Sequence, residues 1–149
     1  AGTVPVLSCD DGKTVLPDSE LILDYLAEAG GLAPEDEASA SSSREWRKAI
    51  SERLIPVGKA AVLRGGNNVD KLFALLRDLD SDVGPGKFLC GDSVTVADCA
   101  LFPFLWRIND EFGPLGEEDG CGNLRRWLDT CCETDCFRIT VQGAWWWWW

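Results

Sequence analysis

Apolar and polar positions follow two different periods along the chain. Near the start the step is two residues. Thr3-Val4-Pro5-Val6-Leu7-Ser8 is a short β-rich run, Asp11-Gly12 is a turn signal, and Thr14-Val15-Leu16 returns, which predicts a β-hairpin. From Pro17 the period is helical. Pro17-Asp18-Ser19-Glu20 supplies a polar cap and an acidic first turn. Leu21, Ile22, Tyr25, Leu26 and Ala29 then fall on one helical face, and Gly30-Gly31 stops the helix. Residues 32–43, with Pro34-Glu35-Asp36-Glu37 and Ser41-Ser42-Ser43, carry no apolar period and predict a linker.

Beyond the linker the pattern is helical almost throughout. Trp46, Ile50, Leu54, Val57, Ala61 and Leu63 recur at mostly three- and four-residue steps, with Pro56 predicting a kink. Gly65-Gly66-Asn67-Asn68 interrupts the pattern, and Val69, Leu72, Phe73, Leu76 and Leu79 resume it. Asp82 to Gly86 predicts a loop. Thr95 and Asp98 then stand at the N-cap and third position of a helix, the spacing of a capping box, with Val94 placed to staple against Cys99. The helix that follows, through Trp106 and Ile108, is apolar on nearly every side and predicts the buried centre of a bundle. Residues 122–133 predict a last amphipathic helix. The chain thus divides into 1–31, a linker at 32–43, an all-helical unit at 44–141 and a Trp-rich tail at 142–149.

Charge refines this picture. The net charge is −11, which argues against nucleic acid as the main partner. Residues 44–77 run against the trend, with eight bases to three acids, and read as the solvated side of a long amphipathic helix or a docking face for an acidic surface. With no His there is no Ser-His-Asp or Cys-His catalysis and no His-ligated metal. The seven Cys are irregularly spaced and lack paired C-x-x-C elements, so no metal site is expected. They read as free, half-buried thiols of an intracellular protein, cytoplasmic or organellar (a plastid included), with a Cys132–Cys136 disulfide as the alternative. No run of apolar residues is long enough to span a bilayer.

Three segments together resemble the glutathione S-transferase superfamily. Thr3-Val4-Pro5-Val6-Leu7 with Leu16-Pro17-Asp18-Ser19 resembles the back half of its thioredoxin-like domain. Gly91-Asp92-Ser93-Val94-Thr95-Val96-Ala97-Asp98 resembles its core-helix capping box, and Asn123-Leu124-Arg125-Arg126-Trp127-Leu128, running to Cys136-Phe137-Arg138, its last helix and exit. Cys99 to Trp106 looks closest to the omega-like, dehydroascorbate reductase and chloride intracellular channel branches. The resemblance implies a mainly α fold, in which a helical C-terminal bundle follows a β-hairpin and helix left from a thioredoxin-like domain.

The resemblance also implies site residues. The backbone of Val4, ahead of Pro5, would pair with the cysteinyl part of glutathione, as a peptide pairs with a sheet edge. Asp18 and Ser19 would hold its γ-glutamyl end at a helix N-terminus; plain helix capping is the competing reading of that pair. Thr95 and Asp98 are structural in either case. The family's catalytic Ser, Tyr or Cys lies in a first βαβ unit that this sequence does not contain, and no residue here matches it. The expectation is therefore a non-catalytic binding or structural subunit, with glutathione as its ligand. A glutathione-dependent transferase or thiol reductase is the alternative if the βαβ unit belongs to the native protein. A peripheral subunit of a membrane-associated assembly, such as a photosynthetic one, is another. A protein partner is expected over the open strand edge and the tail. The tail itself, Trp145, Trp146, Trp147, Trp148 and Trp149, reads as a docking segment, as an anchor at a bilayer surface, or as an appended run.

Overall fold

A computed structural model of the chain describes residues 5–9 and 12–141. Strands β1 (Leu7–Cys9) and β2 (Thr14–Leu16) pair antiparallel in the register Leu7↔Leu16, Ser8↔Val15, Cys9↔Thr14. Their pleat turns Leu7, Cys9, Thr14 and Leu16 inward and leaves Ser8 and Val15 exposed. The first strand is shorter than the predicted run: Pro5 and Val6 lie outside the ladder, and pairing reaches Cys9.

Helix α1 (Ser19–Gly30) starts where predicted. Asp18 is its N-cap, accepting from the Glu20 amide at 2.8 Å, and Gly31 closes it at φ 69°, a left-handed conformation that suits glycine. The apolar stripe that marks this helix in the sequence faces outward. Leu21, Tyr25 and Leu26 are exposed, whereas Ala27 is buried and Leu23 packs against the core. Arg47 fixes the helix from its polar side. Its guanidinium, largely covered, donates to Glu20 at 2.6 Å and to Asp24 at 2.5 Å.

The predicted linker is too long. Helix α2 (Glu37–Ala49) begins inside it, with Asp36 as N-cap accepting from the Ser39 amide at 2.7 Å. The irregular connection is thus 32–36, not 32–43. The cause is the composition of the first turns. Ala and Ser bury against neighbours without an apolar period, so the segment is invisible to a hydrophobic reading. Ser43 is buried, and the Ser39 hydroxyl donates to the Cys90 carbonyl at 3.3 Å.

The break in regular α-helix expected at Pro56 lies one turn earlier. A π-helical turn at Ile50–Leu54 joins α2 to α3 (Ile55–Arg64), and Pro56 sits in the first turn of α3, where it has no amide hydrogen to supply. Trp46, Ile50, Leu54 and Ala61 are buried. Leu63 is not: it is 76% exposed, because a two-residue step from Ala61 carries it round to the opposite side of the helix.

Helix α4 (Asn67–Asp82) runs back along α3 and buries Leu72, Leu76 and Leu79. Helix α5 (Val96–Phe112) is the centre of the bundle, as its all-round apolar sequence predicts; Ala97, Leu101 and Leu105 are fully buried on it. Helix α6 (Gly122–Glu133) has the predicted bounds and turns Leu124, Trp127, Leu128 and Cys131 inward. Helix α7 (Asp135–Val141) sets Phe137 against Phe102 of α5, with ring centroids 4.6 Å apart. The approach to α5 is tight. A Cβ on Gly86 would meet the Gly91 carbonyl oxygen at 2.7 Å, so the Phe88–Gly91 turn closes only over a glycine.

Candidate functional site

The predicted glutathione residues fall partly within the described structure. Val4 lies outside it. Pro5 is exposed, at the end of the hairpin from which α1 starts, so Pro5, Asp18 and Ser19 share one end of the hairpin. Asp18 and Ser19 are both exposed. The Asp18 carboxylate makes the capping bond to Glu20, so the capping reading holds as geometry. Ser19 adds a hydroxyl beside the first-turn amides of α1, where negative charge is favoured. Trp145 to Trp149 lie outside the described residues.

Thr95 and Asp98 form the capping box, and more. The fully buried Asp98 carboxylate accepts from the Thr95 amide at 2.9 Å and its hydroxyl at 3.0 Å. Its other oxygen accepts from the Leu89 amide and the Trp127 indole, each at 2.9 Å. This one side chain therefore joins the start of α5 to the preceding loop and to α6. A second carboxylate acts similarly. Asp80, at the end of α4, accepts from the Leu124 amide at 2.7 Å and from Asn123 at 3.0 Å, in the first turn of α6. No local motif announces it, because donor and acceptor are more than forty residues apart.

The sequence reading missed an apolar groove on the outer side of α5. Two adjoining hollows form it. One, of about 380 Å³, is lined by Phe102, Pro103, Phe104, Trp106, Arg107 and the end of α7 at Thr140 and Val141. The other, of about 300 Å³, lies between α5 and α3, lined by residues that include Leu54, Ile55, Gly58, Val62 and Leu63. Phe104 and Arg107 belong to both. Concave, mostly apolar walls with a few polar groups are what a small-molecule site needs. The sequence signal was present but unassigned. A central helix apolar all round must still end somewhere against solvent, and here it does so at Phe104, which is 37% exposed.

Burial makes five of the thiols poor nucleophiles. Burial, with a smaller contribution from Asp98, pushes the Cys99 thiol up to about 11. Burial and then Asp80 push Cys121 to about 11. Burial is the first cause of the upward shifts at Cys90, Cys131 and Cys132 as well. A raised pKa leaves little thiolate at neutral pH. Iodoacetamide on the native protein at neutral pH is therefore expected to spare Cys99, Cys121 and Cys131, and to label the exposed Cys136. All seven should react in denaturant, as peptide mass spectrometry would show. The cysteines of the described residues are free, Cys132 and Cys136 included, so the alternative disulfide is not formed. Among the described residues no Cys, Asp or Glu cluster has a metal-holding geometry, and no helix is long and apolar enough to cross a membrane.

Comparison with known proteins accounts for this arrangement. Residues 44–130 match the family model for the glutathione S-transferase C-terminal domain. Glutathione S-transferase U2 of Arabidopsis thaliana is 26% identical over 93% of this chain and 66% of its own length. Glutathione S-transferase GstB of Escherichia coli is 28% identical over 94% of this chain and 74% of its own. Among solved structures, a Methylobacillus flagellatus glutathione S-transferase with bound glutathione superposes with a TM-score of 0.73 at 25% identity, over 93% of this chain and 75% of that one. A maleylacetoacetate isomerase from Anaeromyxobacter dehalogenans, with bound dicarboxyethyl glutathione, gives 0.72 at 26% identity, over 93% of this chain and 70% of that one. The hairpin, the Asp98-centred start of the central helix and the matched helical segment lead to one assignment: the chain belongs to the glutathione S-transferase family.

Proposed function

We propose that the chain is a ligand-binding member of its family, taking an apolar small molecule in the groove on α5 and glutathione at the start of α1. The observation that carries this is the pair of adjoining apolar hollows that share Phe104 and Arg107. At the other site, the Ser19 hydroxyl and the first-turn amides of α1 suit the γ-glutamyl carboxylate. Asp18, itself an anion, suits the adjacent ammonium. Ligand binding is the reading put forward for these residues; burial disfavours the thiolate of the cysteines on and around α5, so they are not offered as catalytic nucleophiles. Within the family, the run Cys99 to Trp106 supports a place beside the omega-like, dehydroascorbate reductase and chloride intracellular channel branches.

Exposed apolar side chains on the hairpin, Val6 and Val15, and on α1, Leu21 and Leu26, favour a second reading. Such side chains are suited to packing against a further βαβ unit or a protein partner, and a βαβ unit would bring the thiol-activating residue of a transferase. Titration of glutathione by calorimetry and a conjugation assay with 1-chloro-2,4-dinitrobenzene separate the two. Glutathione binding that weakens about fivefold or more in Ser19→Ala, without conjugation, supports the binding reading. Conjugation would favour the transferase, and the absence of any binding would overturn the glutathione site in both.

A further inference from the structure

We infer that Cys99 and Cys136 are a redox-active pair, oxidised by a low-molecular-weight disulfide to a bond that ties α7 to the start of α5. The inference stands on where the thiols lie and depends on neither ligand site. Four cysteines gather where α5, α6 and α7 meet. Cys131 on α6 is fully buried, Cys99 on α5 and Cys132 on α6 are half-buried, and Cys136 on α7 is exposed. Packing brings Cys99 and Cys136 to one seam. Phe137 of α7 lies on Phe102 of α5, with ring centroids 4.6 Å apart. Cys136 immediately precedes Phe137, and Cys99 lies one turn before Phe102 on the same side of its helix. Burial and Asp98 push the Cys99 thiol up first, and Cys136 adds to them, so the Cys136 sulfur is within electrostatic reach of Cys99.

The other thiols are worse placed. Cys132 is four residues from Cys136, but the backbone is extended at Thr134 between them, so the two share no helix face. Cys131 has no exposed surface and is reached only by opening the core. Helix α7 is also suited to the event. It has seven residues and buries Phe137 alone. A helix this short is unstable by itself, and an element held so lightly can shift to meet disulfide geometry. The exchange balances with glutathione disulfide as the oxidant. The Cys136 thiolate attacks one of its sulfurs; that S–S bond breaks, Cys136 is left in a mixed disulfide, and one glutathione leaves as thiolate. The Cys99 thiolate then attacks the Cys136 sulfur, the mixed disulfide breaks, and the second glutathione leaves. The protons of the two protein thiols pass through water to the two leaving thiolates. Two protein thiols are oxidised, and one disulfide is reduced to two thiols. The second step is the slow one, because burial and Asp98 disfavour the Cys99 thiolate. Proximity to the mixed disulfide offsets this.

The test treats the full chain, reduced and freed of reductant, with excess glutathione disulfide. Samples are trapped in acid at intervals and read by intact mass and by fragmentation of their peptides. The expected course is a transient chain with one glutathionyl group on Cys136, then a chain lacking two hydrogens in which Cys99 is joined to Cys136. Trypsin cleavage after Arg138 should be about tenfold slower in the oxidised chain, and dithiothreitol should restore the original rate. Cys99→Ser should stop at the mixed disulfide, Cys136→Ser should form no bond at this seam, and Cys132→Ser should behave as the native chain, with circular dichroism confirming that each is folded. A bond from Cys136 to Cys132 or Cys131, or a mixed disulfide that persists in the native chain, would overturn the pair. A native chain left unmodified would overturn the reaction at Cys136. An oxidised chain cleaved as fast as the reduced one would overturn the tie between α7 and α5. The peptide map of the native chain decides the pairing without any variant.

Discussion

Replacing Asp98 by Ala is expected to lower the unfolding free energy by about 3–5 kcal/mol, measured by urea denaturation. The reason is the number of donors that one buried carboxylate satisfies. It accepts from the Thr95 amide and hydroxyl on one oxygen and from the Leu89 amide and the Trp127 indole on the other. Truncation leaves several buried N–H groups without an acceptor, and water cannot reach them without opening the packing around α5 and α6. Asp98→Asn keeps the shape but turns an NH₂ group toward donors, and should cost about 2–3 kcal/mol. For a chain of this length the alanine variant corresponds to a fall in Tm of roughly 10 °C. Trp127→Phe removes one donor and much of one contact, and its effect should be less than additive with Asp98→Ala, because both act on the same bond. A loss below about 1 kcal/mol for Asp98→Ala would show that the carboxylate does not hold α5, α6 and the preceding loop together.

Part of this network is legible in the sequence. The Thr95-x-x-Asp98 spacing points to the bond between carboxylate and N-cap amide, because that bond is local. The bonds to Leu89 and Trp127 are not legible, since nothing in a linear pattern says which distant donor will meet a buried acceptor. The same division runs through the fold. Helix α6 has the bounds its amphipathic period predicts. The opening turns of α2 do not show, because Ser39, Ala40 and Ser43 pack by being small rather than by being apolar. The stripe on α1 is legible as apolar, yet Leu21 and Leu26 face solvent while Arg47 secures the helix through Glu20 and Asp24, a contact between segments that the linker separates. For the site, the resemblance led to Asp18 and Ser19, and the structure sets them at the same end of the hairpin as Pro5. The groove had no linear signature. Phe104 and Arg107 sit on a helix whose apolar residues cover nearly every side, so which of them meet solvent depends on where α3 and α7 stop short of covering α5.

Asp80→Ala is expected to cost about 2–3 kcal/mol and to loosen α6 from its start. The N-cap position of α6, Cys121, offers no side-chain cap to its own helix. Asp80 supplies it from the end of α4, accepting from the Leu124 amide at 2.7 Å and from the Asn123 side chain at 3.0 Å. Its negative charge also lies at the positive end of the α6 dipole. Two variants separate the contributions. Asp80→Asn can still accept from Leu124 but loses the charge, and should cost about 1 kcal/mol. If both substitutions cost the same, charge rather than the hydrogen bond holds the junction. Hydrogen exchange adds a local readout: the Leu124 amide should exchange faster in Asp80→Ala, whereas the Leu101 and Leu105 amides in the middle of α5 should change only through the global loss of stability. Cys121 reports the same event chemically. Its thiol is pushed up to about 11 by burial first and by Asp80 second. Removing Asp80 takes away a negative charge that disfavours the thiolate, and an opened first turn relieves some of the burial, so both changes lower the pKa. Alkylation of Cys121 at neutral pH should therefore be faster in Asp80→Ala than in the native chain. An unchanged rate together with unchanged exchange at Leu124 would mean that α6 stands without its cap from α4.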